Sequence, residues 1–220
     1  MTGSLKRISI RNKKFEGIQN VDAADDIDII VVGVAYVSRI YYADGYSSDK
    51  VSTPSCWSDN CDTPALEVPE ETRQAGRCID CKQNVRGSSG LNSRACRFVQ
   101  RLAVVPADNI QTVYQLQLPP TSIFGNAVGG KMPFRAYANY LQAQETPIVT
   151  VVTKIFFDNN SGSPKLFFRP VRPLEEEQYE AVKHMMEHPD TATALNTAVI
   201  PLEDDKVSPF DMTEGFVYSN

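Results

Sequence analysis

Residues 27–37, IDIIVVGVAYV, are β-branched and almost unbrokenly apolar, the pattern of a strand buried on both faces. The next stretch is unlike a strand: YYADGYSSDKVSTPSCWSDNCDTPALEVPEE, from Tyr41, is a long run rich in Tyr, Asp, Ser and Pro with no period of its own. Coil of that length inside a domain needs an anchor. Regular pattern resumes with FVQRLAVVP from Phe98 and VYQLQLP from Val113, where Tyr114, Leu116 and Leu118 alternate with Gln115 and Gln117 as in a half-buried strand. MPFRAYANYLQAQ then places Phe134, Tyr137, Ala138 and Leu141 at helical spacing, with Pro133 at the entry. PIVTVVTKIFFD, the turn DNNSGS and PKLFFRPV read as a hairpin. Beyond Pro173, LEEEQYEAVKHMMEH has acids in its first turn and His184 and His188 toward its end, as a helix dipole favours.

The order strand, long excursion, strand, strand, helix, strand, strand predicts a mostly β protein with some α: an OB-fold-like five-stranded barrel with a cysteine-rich insertion between strands one and two. In that scheme residues 1–172 form the barrel domain with its insertion at 41–97. Residues 173–190 form a C-terminal helix, and residues 191–220 a weakly ordered acidic tail.

The anchor of the excursion is its cysteines. Cys56, Cys61, Cys78, Cys81 and Cys96 all fall within 41 residues, and the rest of the chain has none. There is no run of 18 apolar residues, and the opening MTGSLKRISIRNKKF lacks the apolar block of an export signal, so the expected place is inside a cell. An odd count of thiols there argues against a disulfide framework. Redox chemistry through Cys78 and Cys81 would want a strand-to-helix junction, which Gly87, Ser88, Ser89 and Gly90 disfavour. A structural zinc site remains, because CxxC brings two thiolates to one ion. Two ligand sets are open: Cys56, Cys61, Cys78 and Cys81, slightly favoured by spacing, or Cys56, Cys78, Cys81 and Cys96. Either closes the ion's coordination and leaves no position to activate water. His184 and His188 have metal spacing, but without an HExxH frame they read as exposed helix-end residues. No GxSxG, P-loop or zinc-deaminase motif occurs, so the chain reads as non-catalytic.

The net charge of −5 is unevenly spread. Residues 173–220 carry a net −9, whereas residues 1–172 carry a net +4. Within the latter, residues 77–101 carry Arg77, Lys82, Arg86, Arg94, Arg97 and Arg101 against Asp80 alone. Phe98 lies between two of these arginines, and Tyr36, Tyr41, Tyr42, Tyr46 and Trp57 crowd the entry to the cysteine loop. Cations that track phosphates, interleaved with rings on which bases stack, are what single-strand binding requires. The bland alternatives are core tyrosines and a solvated charged surface.

Taken together, PSCWSDN from Pro54, CIDC from Cys78 with the turn at Gly87 and Ser88, ACRFVQRLAVV from Ala95, VYQLQLP from Val113, SIFG from Ser122, KMPF from Lys131, VTK from Val152 and PKLFF from Pro164 resemble a family of small bacteriophage proteins regarded as single-stranded DNA-binding proteins. The similarity runs from about residue 27 to 174, and the motifs are specific jointly rather than singly. It implies structural Zn2+ held by Cys56, Cys78, Cys81 and Cys96, since the place of Cys61 is usually glycine in a DG turn, where this chain has Asn60 and Cys61. It also implies coating of single-stranded DNA during replication or recombination, in the cytoplasm of a host cell and away from membranes. The end EDDKVSPFD, from Glu203 to Asp211, is similar to tails that recruit replication proteins such as polymerase, helicase or primase, or RNA polymerase. Homo-oligomerisation is open. The alternative is a zinc-containing phage transcription regulator contacting RNA polymerase or DNA.

Overall fold

The computed structural model describes residues 5–43, 54–90 and 92–196. They fall into two compact units, one of Met1–Ala35 with Arg101–Asn196, the other of Tyr36–Gln100.

The first unit is a mixed sheet curled into a half-barrel. An N-terminal hairpin, β1 (Arg7–Arg11) and β2 (Lys14–Glu16), turns on Asn12 and Lys13, both at positive φ (48° and 54°), the two-residue turn whose twist matches the strands. β3 (Asp26–Val34) carries most of the apolar run 27–37 and ends three residues before it does. The order is β2-β1-β7-β6-β3-β8-β9, where β6 is Arg97–Pro106, β7 Tyr114–Leu118, β8 Val151–Phe157 and β9 Leu166–Pro173. β3 runs antiparallel to both β6 and β8, β8 and β9 form the expected hairpin, and β1 lies parallel to β7. The sheet thus contains an N-terminal hairpin and a parallel pairing that a five-strand scheme does not include.

β3 is buried on both faces because helices cover both. Ile27, Ile155 and Phe168 are in register across β3, β8 and β9 and share a face. On that face helix α2 (Phe134–Ala143) packs Phe134 and Tyr137 against Phe168, at ring-centroid distances of 5.2 and 6.0 Å. A short helix α1 (Pro120–Ile123) precedes it; its Ser122 hydroxyl accepts the Leu166 N–H at 2.7 Å. On the opposite face Ile30, Val32 and Val152 meet Val182 of α3 (Glu176–Met186) and Ala194 of α4 (Pro189–Leu195). Glu175 and Gln178 close a capping box on α3.

Two expectations change here. Residues from Thr191 were expected to be weakly ordered, yet α4 continues to Leu195, with Pro189 in its first turn and His188 capping it by accepting the Asp190 N–H. β7 was expected to face solvent on its glutamine side. Instead Gln115 is 4% exposed and its Nε2 donates to the Ala194 carbonyl at 2.7 Å, because α4 covers that face. His184 and His188 are exposed helix-end residues.

A buried polar pair gives a stability test. The Tyr137 and Thr153 hydroxyls are 2.7 Å apart, and both residues are fully buried. Burial pushes the Tyr137 phenol up to about 12, offset in part by Thr153. Tyr137→Phe is expected to cost about 1–3 kcal/mol in urea denaturation by leaving Thr153 unsatisfied, and adding Thr153→Val should recover much of that loss. Equal stability of wild type and Tyr137→Phe would show that the pair contributes nothing.

The second unit holds all five cysteines. Its β4 (Ser38–Tyr41) pairs antiparallel with β5 (Cys56–Ser58) and with Arg97, Phe98 and Val99 at the start of β6. No helix among the described residues is long and apolar enough to cross a membrane.

Candidate metal centre and nucleic-acid interface

Tight backbone turns position the cysteines. Cys56 opens β5, while Cys78 begins one 3-10 turn and Cys81 caps the next. The Cys78 N–H donates to the Asp62 carbonyl (2.7 Å) and the Cys81 N–H to the Cys78 carbonyl (3.4 Å). The glycine- and serine-rich run then folds the chain back. Gly87, at φ 92°, donates its N–H to the Ser93 carbonyl (2.8 Å). The Ser88 hydroxyl donates to the Gln83 carbonyl and accepts from the Ala95 N–H, each at 2.9 Å. Cys96 is thereby held by its own N–H on the Gln83 carbonyl at 2.8 Å. Asn84 joins these pieces: Nδ2 donates to the Cys78 carbonyl (2.8 Å), Oδ1 accepts from Arg39 Nη1 (2.6 Å), and its carbonyl accepts from Arg94 Nε (2.7 Å).

Cys56, Cys78, Cys81 and Cys96 line one cleft, together with Arg39, Tyr41, Trp57, Gln74 and Arg77. Its volume is about 20 Å³, enough for a single water-sized body. Cys61 is not on its wall. Its Sγ donates to the Val37 carbonyl at 3.1 Å, and its backbone sits in the left-handed region at φ 63°.

Burial is the largest influence on the thiols of Cys56, Cys61 and Cys96. Burial pushes the Cys96 thiol up to about 11; Arg39 pulls it down, and Cys78 and Cys81 add to the rise. Burial also raises Cys56, against the Gln74 backbone N–H, and again Cys78 and Cys81 push upward. Cys61 is raised by burial, lowered by Arg39 and raised by Cys78. Cys56 and Cys96 therefore each feel both sulfurs of the CxxC pair. All five thiols are free of disulfides. Among the described residues, no three His, Cys, Asp or Glu side chains converge to metal-ligand geometry. Four soft sulfurs on the wall of one cleft are nevertheless the donor type that structural zinc takes.

The residues expected to touch DNA fall into three groups. Arg77, Lys82, Arg86 and Arg94 are exposed on the second unit. Arg77 lies 3.6 Å from the Asp62 carboxylate, and Arg86 Nε is 3.4 Å from the Asn92 carbonyl. Tyr41, Tyr42 and Trp57 are half-buried, and Tyr36 is 91% exposed. The remainder fit the expected role less well. Arg101 is 5% exposed and belongs to the first unit, a placement that suits packing better than contact with a phosphate. Arg97 is half-buried, and burial holds its guanidinium below the ordinary range. Phe98 carries the Arg39 guanidinium 3.9 Å over its ring, leaving that face closed to a base. Tyr46 lies outside the described residues.

Arg39 and Gln74 line the cleft, Asn84 accepts a hydrogen bond from Arg39, and no local sequence pattern marks any of the three. Arg39 in SRIYY looks like an outward strand residue, and nothing local marks it as buried. Comparisons with protein-family models, curated protein sequences and solved structures find no match for this chain.

Proposed function

We propose that this chain is a non-catalytic single-stranded DNA-binding protein of the bacteriophage type, in which zinc on Cys56, Cys78, Cys81 and Cys96 braces the unit that meets DNA. The observation that carries the reading is a coincidence within one unit: a four-cysteine cleft walled by Tyr41, Trp57 and Arg77, with Arg77, Lys82, Arg86 and Arg94 exposed on the same unit. The curled sheet of the first unit is read as the OB-like part.

Packing supports the zinc. Apart from Cys78 and Cys81, the buried apolar residues of Tyr36–Gln100 are Ile40, Pro54, Val68 and Val99, among the described residues. A unit of that size rarely holds on so small a core without a staple. Zinc closed by four thiolates supplies rigidity and no reactive water. The protein residues do the rest: guanidinium and ammonium groups neutralise phosphates, and rings accept bases at about 1–3 kcal/mol each.

The test is one titration of fluorescent single- and double-stranded oligonucleotides at two salt concentrations, with metal content measured on the same sample. Single-strand preference that falls steeply with salt, and one zinc per chain, are expected. Preference for duplex would move the reading to the transcription regulator. Indifference to both would end it. Trp57, the chain's one tryptophan, sits on the cleft wall, so its emission should shift both on zinc uptake and on oligonucleotide binding. Unchanged emission in both titrations would place the events elsewhere.

The acidic end is the proposed competitor for the same cations and the proposed contact for replication proteins. Because α4 is part of the first unit's packing, the deletion begins at residue 197. That removes five acids and one lysine, a net −4, and takes the chain from −5 to −1. Affinity for single strands at low salt is expected to rise several-fold, with the gain vanishing near 0.2 M salt as screening shortens the range of the repulsion. Equal affinity at low salt before and after deletion would reject the competition.

A further inference from the structure

Arg39 is the most unusual charge in the second unit. It is 9% exposed, and its Nε is buried without a hydrogen-bond partner. Nη1 donates to Asn84 Oδ1, and the guanidinium plane rests on Phe98. No carboxylate lies within ion-pair distance of it among the described residues. Withdrawing an ion from water costs several kcal/mol, and a stack on one ring returns only about 0.5–2 kcal/mol of it. A guanidinium in that position calls for an anion.

The neighbours that can become anionic are sulfurs. Arg39 shares the cleft wall with Cys56, Cys78, Cys81 and Cys96. Four thiolates around a divalent ion carry a net −2, and Arg39 brings this to −1, since Arg77 on the same wall is shared with the Asp62 carboxylate. The planar fork also suits the place better than an ammonium would, since it can stack on Phe98 while directing N–H groups sideways at sulfur.

We propose that Arg39 is a positioning residue for the ion, its guanidinium being the counter-charge that lets all four cleft cysteines bind as thiolates. This rests on reading the cleft as a divalent-ion centre. The Arg39 guanidinium also lowers Cys61, but Cys61 is off the cleft wall and its S–H is spent on the Val37 carbonyl.

The test compares wild type, Arg39→Lys and Arg39→Met. Zinc per chain is measured by elemental analysis, zinc affinity by competition with a chromophoric chelator, and the number of bound thiolates by the sulfur-to-metal absorption of the cobalt form. Wild type should take up one ion. Arg39→Met should bind it about 10–100-fold more weakly, the loss typical of removing a partner of a ligand. Its cobalt form should show weaker sulfur-to-metal absorption, and Arg39→Lys should fall between. Wild-type affinity and spectrum in Arg39→Met overturn the inference and leave the ion centre standing. A wild type that takes up no ion overturns both. If both variants stay unfolded at saturating metal, Arg39 serves packing on Phe98 and the inference is overturned.

Discussion

Replacing Cys78 and Cys81 together by serine is expected to abolish zinc uptake and to unfold the unit Tyr36–Gln100, while the first unit keeps its structure. The size of the effect depends on what else holds each unit. The first has Ile29, Ile30, Leu102, Val104, Leu116, Ile155 and Phe168 all fully buried. The second buries little beyond Ile40, Pro54, Val68, Val99 and the two cysteines themselves. A structural zinc is worth about 10–16 kcal/mol of apparent binding energy at neutral pH. That is as large as the roughly 5–15 kcal/mol by which a whole domain is stable. The double variant should therefore lose Trp57 emission structure and amide protection across the second unit, with α2, β8 and β9 still protected in hydrogen exchange. Cys61 makes the contrast. Cys61→Gly should leave zinc uptake unchanged, and should stabilise the turn by about 1 kcal/mol because glycine adopts positive φ without strain. Retained protection in the double serine variant, or zinc loss in Cys61→Gly, would show that the ligands are other residues.

How far the sequence could be read depended on whether a residue's fate was settled by near neighbours. β3, β6, the hairpin of β8 and β9, α2 and α3 stood out because each has an apolar period bounded by its own turn or cap. The N-terminal hairpin is weakly marked: Ile8 and Ile10 alternate and Asn12 signals a turn, but Lys13 in place of glycine weakens that signal. α4 and the burial of Gln115 were illegible for a different reason. Gln115 goes inside because the Ala194 carbonyl meets it from 79 residues away, and no local pattern encodes that. At the site, clustering made the cysteines visible, but spacing alone favoured Cys61 over Cys96. The resemblance pointed to Cys96 instead, and the serine turn returns Cys96 to a cleft wall that Cys61 does not line. Arg39 is the least legible residue of the site, since a buried arginine and a surface arginine are the same letter until the strand's neighbours are known.

Replacing Arg77, Lys82, Arg86 and Arg94 together by glutamine is expected to remove most of the salt dependence of single-strand binding. These four are exposed on one unit, and two of them are held by the chain: Arg94 through Nε on the Asn84 carbonyl, Arg77 beside Asp62. Each phosphate neutralised on a single strand contributes about 0.7 to the slope of log affinity against log salt, so four contribute about 3. Between about 50 and 200 mM salt a slope of that size lowers wild-type affinity about 50-fold, whereas the quadruple variant should change several-fold at most. Stacking on Tyr36, Tyr41 and Trp57 carries no counterion release and should persist as a weak, salt-insensitive remainder. Arg101, buried in the first unit, serves as the comparison. Its loss should show in thermal stability, while the salt slope stays at the wild-type value. Should the quadruple variant keep the wild-type slope, the phosphates are met by other cations, and the second unit is not the surface on which DNA lies.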